Sequence, residues 1–487
     1  MDAYRVGFKI PNLFRDLFAE GAMSAAFVPT FTRHLAESGR DSAWRLGNLV
    51  INALLVVTGA IVLLGLVFAG PLVRAVAGGF EEVPGKIPLA ILLARIMLPT
   101  LTLIALAAAL MGMLNSLRHF FVPALSPATF NVVTIICAVV FVPLAPMMGI
   151  QPIVVIAFAT VLGGVAQLAL QWPTLRREGF RYQPLFDWKD PGLRRVLVLM
   201  GPGTIGLAAT QLNLVVNMVL AAREGTGAVT WLDLAFRLMY LPIGLFGVSI
   251  ATAVLPAVSR HVVAHDVAAS RATVADGLSL MLMLNVPAMV GLIVLAVPIV
   301  RVIFEHGLFT STDTLATAAA LQLFALGLIG YSIVRIASPT FYALGRNRTP
   351  VVVSIITVVV NASLNIMLVR VLGYAGLALG TSIAALFNAA VLLVLLRRSL
   401  GGLDARRLLG ATLRITVAAG LMGVAALAAE RALAVWLPGD ALVMEIVRLA
   451  VTIGAALAVL AAAAHILRIR EFADAVALVR RRLGRAR

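Results

Sequence analysis

A stripe of charged and polar side chains lies at the start of this chain, in a segment long enough to span a membrane. Its members recur every three or four residues, so a helix would carry them on one face. They are Asp2, Arg5, Lys9, Asn12, Asp16 and Glu20, with Arg15 beside them. Ionisable groups at membrane depth are costly and usually face a water-filled cavity or a substrate path. Arginine and lysine in such a cavity would bind phosphate or carboxylate groups.

A second stripe lies in the other half of the chain. Thr230, Asp233, Arg237 and Tyr240 are three, four and three residues apart and share a helix face. The charges at membrane depth are the cations Arg5, Lys9, Arg15, Arg95, Arg237 and Arg335 and the anions Asp2, Asp16, Glu20 and Asp233. The excess of cations predicts a cationic cavity for an anionic group. The alternative is that these arginines pair structurally or extend to the membrane surface.

Membrane-spanning helices must position these stripes. The chain has 487 residues, of which 61% are hydrophobic and only 13% are charged, a composition unlike that of soluble domains. Apolar runs of about 20 residues, the length that crosses the hydrocarbon core, recur throughout. We therefore predict an all-α polytopic membrane protein with thirteen spans. Their approximate limits are 3–32, 46–73, 87–116, 122–144, 150–175, 196–222, 228–258, 274–303, 314–344, 349–370, 375–396, 408–430 and 442–467.

The charges in the loops between these spans alternate. One set of loops carries 25 lysine and arginine residues and the other set carries 7, so the positive-inside rule places the first set and the C-terminus in the cytoplasm. These loops account for the net charge of +17. We predict no binding to nucleic acid, because the chain contains no basic soluble domain. With thirteen spans, the chain would begin on the side opposite the cytoplasm.

Two short patterns recur at one offset and indicate an internal repeat. Residues 28–34 are echoed at 255–261, and residues 117–123 at 344–350, each 227 positions later. Such repeats are typical of transporters whose substrate site lies between the halves. The offset places the start of the first half roughly 36 residues before residue 1. We therefore predict two six-helix lobes related by a pseudo-two-fold axis, the first lacking its first helix, in a chain that is truncated or begins at a late start codon.

The predicted organisation has four parts. An N-lobe covers 1–190, a C-lobe covers 191–404, and two additional spans cover 405–468, so that the full protein would have fourteen spans. The tail 469–487 combines an apolar stripe with a cluster of arginines. This pattern predicts either an interfacial helix on an anionic leaflet or an ordinary basic tail.

Sequence motifs for other chemistries are missing or lie in the wrong context. Cys137 is the only cysteine, which excludes disulfides and cysteine metal sites. The segment Gly201-Pro202-Gly203-Thr204-Ile205-Gly206 matches a dinucleotide-binding pattern, but it lies inside a predicted span and follows no strand. We therefore predict no cofactor and no resident metal.

The first stripe carries a resemblance to a known family. The segment 2–29, with Phe8-Lys9-Ile10-Pro11-Asn12 and Ala26-Phe27-Val28-Pro29, resembles the second helix of the MurJ/MviN lipid II flippases. The resemblance extends over the whole chain and includes Trp231, Arg237, Pro242, Leu255-Pro256 and Pro339-Thr340-Phe341-Tyr342. It implies the fold of the multidrug/oligosaccharidyl-lipid/polysaccharide exporters.

The resemblance also implies a function. The chain would be a transporter rather than an enzyme and would move lipid II, the undecaprenyl-diphosphate-linked peptidoglycan precursor, across the bacterial inner membrane by alternating access. Its partners would be lipid II and membrane lipids. We expect a monomer, with the cell-wall synthesis machinery as the protein partner. The residues predicted to line the substrate cavity are Asp2, Arg5, Lys9, Arg15, Glu20, Thr230, Asp233, Arg237 and Arg335.

The source of coupling energy is a further expectation. Some members of the family bind sodium at positions that match Asn217, Asn361, Asn365 and Thr381 here, and none of these is a carboxylate. They are therefore weak sodium candidates, and interhelical hydrogen bonding is the other interpretation of these amides. Coupling to membrane potential or to a monovalent cation is the corresponding expectation. Tyr240 stands where some members have an acid, which removes one negative charge.

Three other functions stay open at this point. An exporter of another polyprenyl-linked saccharide or of a drug would share the fold, although a cation exporter would favour an acidic cavity. A membrane-embedded glycosyltransferase or ligase would need catalytic groups in a hydrophilic loop. The longest loop, 176–195, holds Glu178, Asp187 and Asp190 but no convincing catalytic set. An inactive scaffold is the third alternative.

Overall fold

The structure is a computed structural model that describes residues 1–15, 22–437, 439 and 441–472. Helices are the only regular secondary structure in these residues, which confirms the all-α prediction. The chain divides into two compact units, Met1–Val229 and Thr230–Arg487.

The first unit contains eight α-helices and short connecting turns in its described residues. They are α1 (Asp2–Arg15), α2 (Ala22–Glu37), α3 (Gly39–Ala77), α4 (Lys86–Met97), α5 (Thr100–Ser116), α6 (Phe121–Phe141), α7 (Pro152–Arg177) and α8 (Pro191–Ala222). Two 3-10 helices, Gly78–Glu82 and Ala145–Met148, follow α3 and α6.

The second unit contains the remaining ten described α-helices. They are α9 (Ala228–Pro242), α10 (Val248–Val263), α11 (Val267–Val294), α12 (Ala296–Phe304), α13 (Ser311–Leu326), α14 (Leu328–Ala343), α15 (Arg348–Leu372), α16 (Tyr374–Ser399), α17 (Ala405–Trp436) and α18 (Leu442–Ile466). A π-helical turn, Ile243–Gly247, joins α9 to α10.

In the part of the chain that the structure describes, eleven helical segments are long and apolar enough to cross a membrane. They match eleven of the thirteen predicted spans, and a polytopic membrane protein is confirmed. The other two predicted spans are 3–32 and 196–222. The first includes residues outside the described part, and the described apolar segment of the second, Asn213–Ala222, is shorter. The number thirteen therefore stays a prediction.

The core of the first unit lies where α2, α3, α5 and α8 meet. Phe27, Phe31 and Met113 are completely buried there, and Leu193 of α8 belongs to the same cluster. Helix α8 packs against α2 and α3. Because α8 packs on helices of the first unit, that unit extends to Val229. The sequence repeat predicts a lobe boundary at residue 190.

The two C-terminal helices belong to the second unit because they pack on α11. Leu282 and Val286 of α11 share a buried cluster with Ile415 of α17. Gly423 of α17 lies so close to α11 that an added Cβ would be 2.7 Å from Val290 Cγ1. A small residue is therefore required at this helix crossing.

Two buried asparagines of α3 hold the extended segment that follows α7. Asn48 Oδ1 accepts a hydrogen bond from Gln183 N at 2.9 Å. Asn52 Nδ2 donates to the carbonyl oxygens of Gln183 and Leu185 at 2.8 and 2.9 Å, and Tyr182 donates its hydroxyl to Asn52 Oδ1 at 2.8 Å. The backbone of this segment thereby finds hydrogen-bond partners without forming a helix or a strand.

We expect Asn52→Ala to lower the stability of the protein by about 1–3 kcal/mol, because two carbonyls and one hydroxyl lose their partner. The midpoint of thermal unfolding of the purified protein in detergent, at one scan rate, measures this effect. Asn131→Ala is the matched control, since Asn131 is exposed on α6. Equal midpoints for the two variants would contradict the assigned role of Asn52.

Glu178, directly after α7, connects three elements at the predicted cytoplasmic end of the first unit. In the tautomer that protonates Nε2, His119 donates to Glu178 Oε1 at 2.8 Å. Arg40 Nη2 donates to Glu178 Oε2 at 3.2 Å. The hydrogen bond from His119, helped by the charges of His119 and Arg40, lowers the pKa of Glu178 below its ordinary value.

This lowered pKa predicts a specific acid sensitivity. The stabilising contribution of Glu178 is fully present above the ordinary carboxyl pKa and is lost as pH falls through the lower, folded-state pKa. Between about pH 5 and pH 3, the unfolding midpoint should therefore decrease less steeply for Glu178→Gln than for the native chain. Glu37→Gln, which removes an exposed carboxylate of α2, should keep the native slope. Parallel profiles for the native chain and Glu178→Gln would show that the interaction does not stabilise the fold.

Candidate functional site

The first charged residue of α1, Asp2, is buried in an ion pair. Its Oδ2 accepts from Lys86 Nζ at 3.0 Å and from the backbone nitrogen of Gly227 at 2.7 Å. The side chain of Asp2 is only 3% exposed and that of Lys86 10%. Lys86 also lies 4.0 Å from the centroid of the Phe80 ring. Asp2 therefore links α1 to the start of α4 and to the turn after α8. Its role in substrate binding stays a prediction.

Arg5 and Lys9 follow Asp2 on the same face of α1. Both are half-buried, and both interact with other groups of the protein. The helix that carries them lies very close to α4, because a Cβ added to Gly7 would be 3.0 Å from Ala94 N. Tyr4 stabilises α1 from another side by a 2.9 Å hydrogen bond between its hydroxyl and Thr160 Oγ1. Residues 2–9 of the stripe thus lie on a closely packed helix.

Three charged residues of this segment lie wholly or partly outside the described residues. Arg15 is the last residue of α1, and its side chain lies outside the described part of the structure. Asp16 and Glu20 also lie outside the described residues. The assignment of Arg15 and Glu20 to the cavity stays a prediction.

The second stripe forms as predicted on α9, in the second unit. Thr230 is buried, whereas Arg237 and Asp233 form an ion pair of 2.9 Å between Nε and Oδ2. Their side chains are 59% and 37% exposed, and an exposed pair one helical turn apart contributes only about 0.3–0.5 kcal/mol. Among the described residues, the two Nη atoms of Arg237 have no hydrogen-bond partner. Binding of an anionic ligand by Arg237 stays a prediction.

Arg335 comes to the same stripe from α14. Its Nη2 donates a hydrogen bond to the hydroxyl of Tyr240, and its guanidinium carbon lies 5.9 Å from the centroid of that ring. Phe236 stacks on Tyr240 at 5.7 Å, and Tyr331 contacts both rings edge-on at 6.3 Å. An uncharged aromatic cluster thus holds Arg335 in place without neutralising its charge.

Trp231 anchors the start of α9. Its Nε1 donates to Asp313 Oδ1 at 2.8 Å, and its ring packs edge-on against Tyr374 at 5.2 Å. Asp313 is itself held by the capping box with Thr310 at the start of α13. At its other end, α9 gives way to the π-helical turn Ile243–Gly247 directly after Pro242. Such turns are frequent near functional sites.

Two of the weak sodium candidates, Asn361 and Asn365, contact each other on α15, where Asn365 Nδ2 donates to Asn361 Oδ1 at 3.1 Å. Asn361 Nδ2 also donates to Thr381 Oγ1 of α16 at 3.4 Å. The contact between Asn361 and Thr381 agrees with interhelical hydrogen bonding. Asn217 lies on α8 of the other unit. In the described residues there is no group of three or more His, Cys, Asp or Glu side chains that could hold a metal ion, and a sodium site stays a prediction.

Known proteins match this arrangement across the chain. The family model described as lipid II flippase MurJ matches residues 1–447. The chain belongs to the MurJ family of lipid II flippases. The MurJ lipid II flippase of Burkholderia cenocepacia is 35% identical over 401 residues, which are 82% of this chain and 77% of that protein. The probable lipid II flippase MurJ of Rickettsia prowazekii is 32% identical over 391 residues, or 80% and 76% of the two chains.

Solved structures agree with the family assignment. A MurJ lipid II flippase in an inward closed conformation has a TM-score of 0.76 and 26% identity, covering 96% of this chain and 93% of that one. An inward-facing MATE multidrug transporter has a TM-score of 0.69 at 16% identity, covering 82% and 90%. The MATE structure shows a shared fold, and the MurJ matches confirm the resemblance inferred from the first stripe.

The sequence pattern does not predict that Lys86 belongs to this site, because Lys86 lies in the loop between the predicted spans 46–73 and 87–116. One signal was available. Lysine occurs only at positions 9, 86 and 189 in a chain otherwise rich in arginine. A compact ammonium suits the confined position between Asp2 and the Phe80 ring better than a guanidinium.

We expect Lys86→Met to destabilise the protein by up to about 3–5 kcal/mol, because the buried carboxylate of Asp2 loses the ammonium group 3.0 Å away. Lower yield in the membrane and a lower unfolding midpoint of the purified protein would measure this loss. The double variant Asp2→Asn/Lys86→Met removes both charges and should recover much of the stability. If the double variant is less stable than Lys86→Met, the ion pair is not the cause.

Proposed function

We propose that this chain translocates lipid II across the bacterial inner membrane. The observation that carries the proposal is the match of the family model to residues 1–447. The relatives of known name at 32–35% identity are lipid II flippases or probable lipid II flippases. Eleven apolar helical segments in the described residues agree with a protein that works within the membrane.

The charges of the second unit suit the chemistry of the lipid II headgroup. A diphosphate and peptide carboxylates are anionic, and a planar guanidinium binds such groups through two parallel hydrogen bonds. Arg237 presents its Nη atoms, and Arg335 is oriented by Tyr240. Asp233 is the one carboxylate close to these two cations in the described residues. The local excess of positive charge therefore favours an anionic substrate over a drug cation.

Alternating access is the mechanism that the fold supports. MATE transporters with this fold have been solved in inward-facing and outward-facing conformations, with TM-scores of 0.69 and 0.57. The π-helical turn after Pro242 offers a place where the helix of the second stripe can bend. The membrane potential acts on a charged site with about 2.3 kcal/mol per charge per 100 mV. We propose the membrane potential as one source of bias for the transport cycle.

The orientation in the membrane belongs to the same proposal. The loops with 25 lysine and arginine residues would face the cytoplasm, and the C-terminus would lie on that side. Lipid II would enter from the inner leaflet, where it is assembled, and leave toward the outer leaflet. The chain would act as a monomer next to the cell-wall synthesis machinery.

Substitution of the two oriented arginines tests this proposal. Arg237→Ala and Arg335→Ala should each reduce lipid II transport at least about tenfold, the cost of one charge-assisted hydrogen bond lost in the substrate complex. The measurement is the appearance of lipid II at the outer leaflet in cells depleted of their own flippase, with the amount of each variant in the membrane determined in parallel.

Matched variants make this test specific. Arg237→Lys keeps the charge but loses the planar fork, so its transport should be intermediate. Arg370→Ala removes an exposed arginine at the end of α15 and should transport normally. Full transport by both Arg237→Ala and Arg335→Ala at normal membrane levels would refute the assigned site. If the native chain rescues growth while lipid II stays in the inner leaflet, the proposed substrate is wrong.

A further inference from the structure

A groove with two arginines lies in the first unit, at the end that the loop charges place away from the cytoplasm. The end of α3, the 3-10 helix Gly78–Glu82 and α4 enclose a volume of about 560 Å³. Its charged lining consists of Arg74, Glu81 and Arg95, and most of the remaining lining is apolar. This feature plays no part in the proposed handling of lipid II by α9 and α14.

Arg95 is the unusual member of the groove. It is an exposed residue of α4 and lies inside a candidate membrane span, Lys86–Ser116. Nine residues separate it from the start of α4, which is about 13 Å along the helix. Among the residues that the structure describes, no carboxylate lies within 4.0 Å of its guanidinium. A cation at this depth needs an anionic or hydrated partner.

Arg74 is the second cation and is only weakly compensated. Its Nε is 3.9 Å from Glu81 Oε1, and both side chains are more than 60% exposed, at 62% and 64%. An exposed pair at such a distance contributes about 0–1 kcal/mol. The groove therefore keeps a net positive charge, with two guanidinium groups and one carboxylate.

The wall between the arginines is apolar and continues along α3. Helix α3 packs against α4 and the residue that follows it, since a Cβ added to Gly65 would be 3.0 Å from Leu98 Cδ2. On the outer face of α3, Leu63, Leu64 and Val67 are 65%, 59% and 70% exposed. These side chains extend the groove as a surface that suits hydrocarbon chains.

We propose that this groove binds an anionic phospholipid, with the headgroup phosphate between Arg74 and Arg95 and the acyl chains along the exposed face of α3. The positive charge selects an anionic headgroup, and the apolar wall requires an amphiphile rather than a soluble anion. Guanidinium groups bind phosphate through paired, charge-assisted hydrogen bonds. The lipid would satisfy the countercharge that Arg95 lacks in the described residues.

Retention of lipid by the full chain tests the proposal without any transport measurement. The purified protein is placed in mixed micelles that contain phosphatidylglycerol or the zwitterionic phosphatidylcholine, and bound lipid is counted by native mass spectrometry. The native chain should retain phosphatidylglycerol in preference to phosphatidylcholine. Arg74→Gln/Arg95→Gln should weaken phosphatidylglycerol retention about tenfold or more, whereas Arg370→Gln should retain it normally.

Two further measurements distinguish a bound phospholipid from a soluble anion and from the loss of binding by misfolding. Glu81→Gln removes the one carboxylate among the described residues that line the groove. It should strengthen phosphatidylglycerol retention, which a misfolded variant would not do. Unchanged retention in the double arginine variant would overturn the proposal and leave Arg95 as a side chain that merely extends to the membrane surface. Displacement of phosphatidylglycerol by millimolar inorganic phosphate would overturn it in favour of a soluble anion site.

Discussion

A charge inside a membrane-spanning helix must meet a countercharge, a dipole, water or a ligand, and this requirement governs both units of the protein. Three solutions are visible in the described residues. Asp2 is buried against Lys86 and a backbone amide, which stabilises the fold. Arg335 is held by the hydroxyl and ring of Tyr240, which orients the charge but does not cancel it. Arg95 is exposed on α4 and has no carboxylate within 4.0 Å in the described part of the chain, and we propose an anionic lipid as its partner.

Much of the architecture was predictable because lipid imposes simple rules on sequence. Apolar length predicted eleven spans that the structure contains, and three-and-four spacing predicted that Asp233, Arg237 and Tyr240 share a face of α9. The motif at residues 2–29 indicates the family, since its combination of charges with proline and asparagine is specific to that family. These inferences depend on local periodicity and on composition, which a single sequence displays directly.

Other features depend on contacts between distant segments and were not predictable in the same way. The ion pair of Lys86 with Asp2 joins residues 84 positions apart. Neither the helical spacing of the charges nor their number in the spans indicates that these two residues meet. Asn48 and Asn52 appear in the sequence as polar residues within an apolar run, yet they bind the backbone of residues 181–185. The packing of α8 on α2 and α3 likewise places the boundary between compact units after Val229, because tertiary packing need not follow an internal sequence repeat.

The hydrogen-bond partner of Arg335 is the phenol of Tyr240, and this has a consequence for energy coupling. A carboxylate at position 240 could take up and release a proton during a transport cycle, and its charge would then depend on the pH on each side of the membrane. The phenol of Tyr240 accepts a hydrogen bond from Arg335 and places no carboxylate beside that guanidinium. A transport cycle that is coupled through a carboxylate at position 240 is therefore not open to this chain.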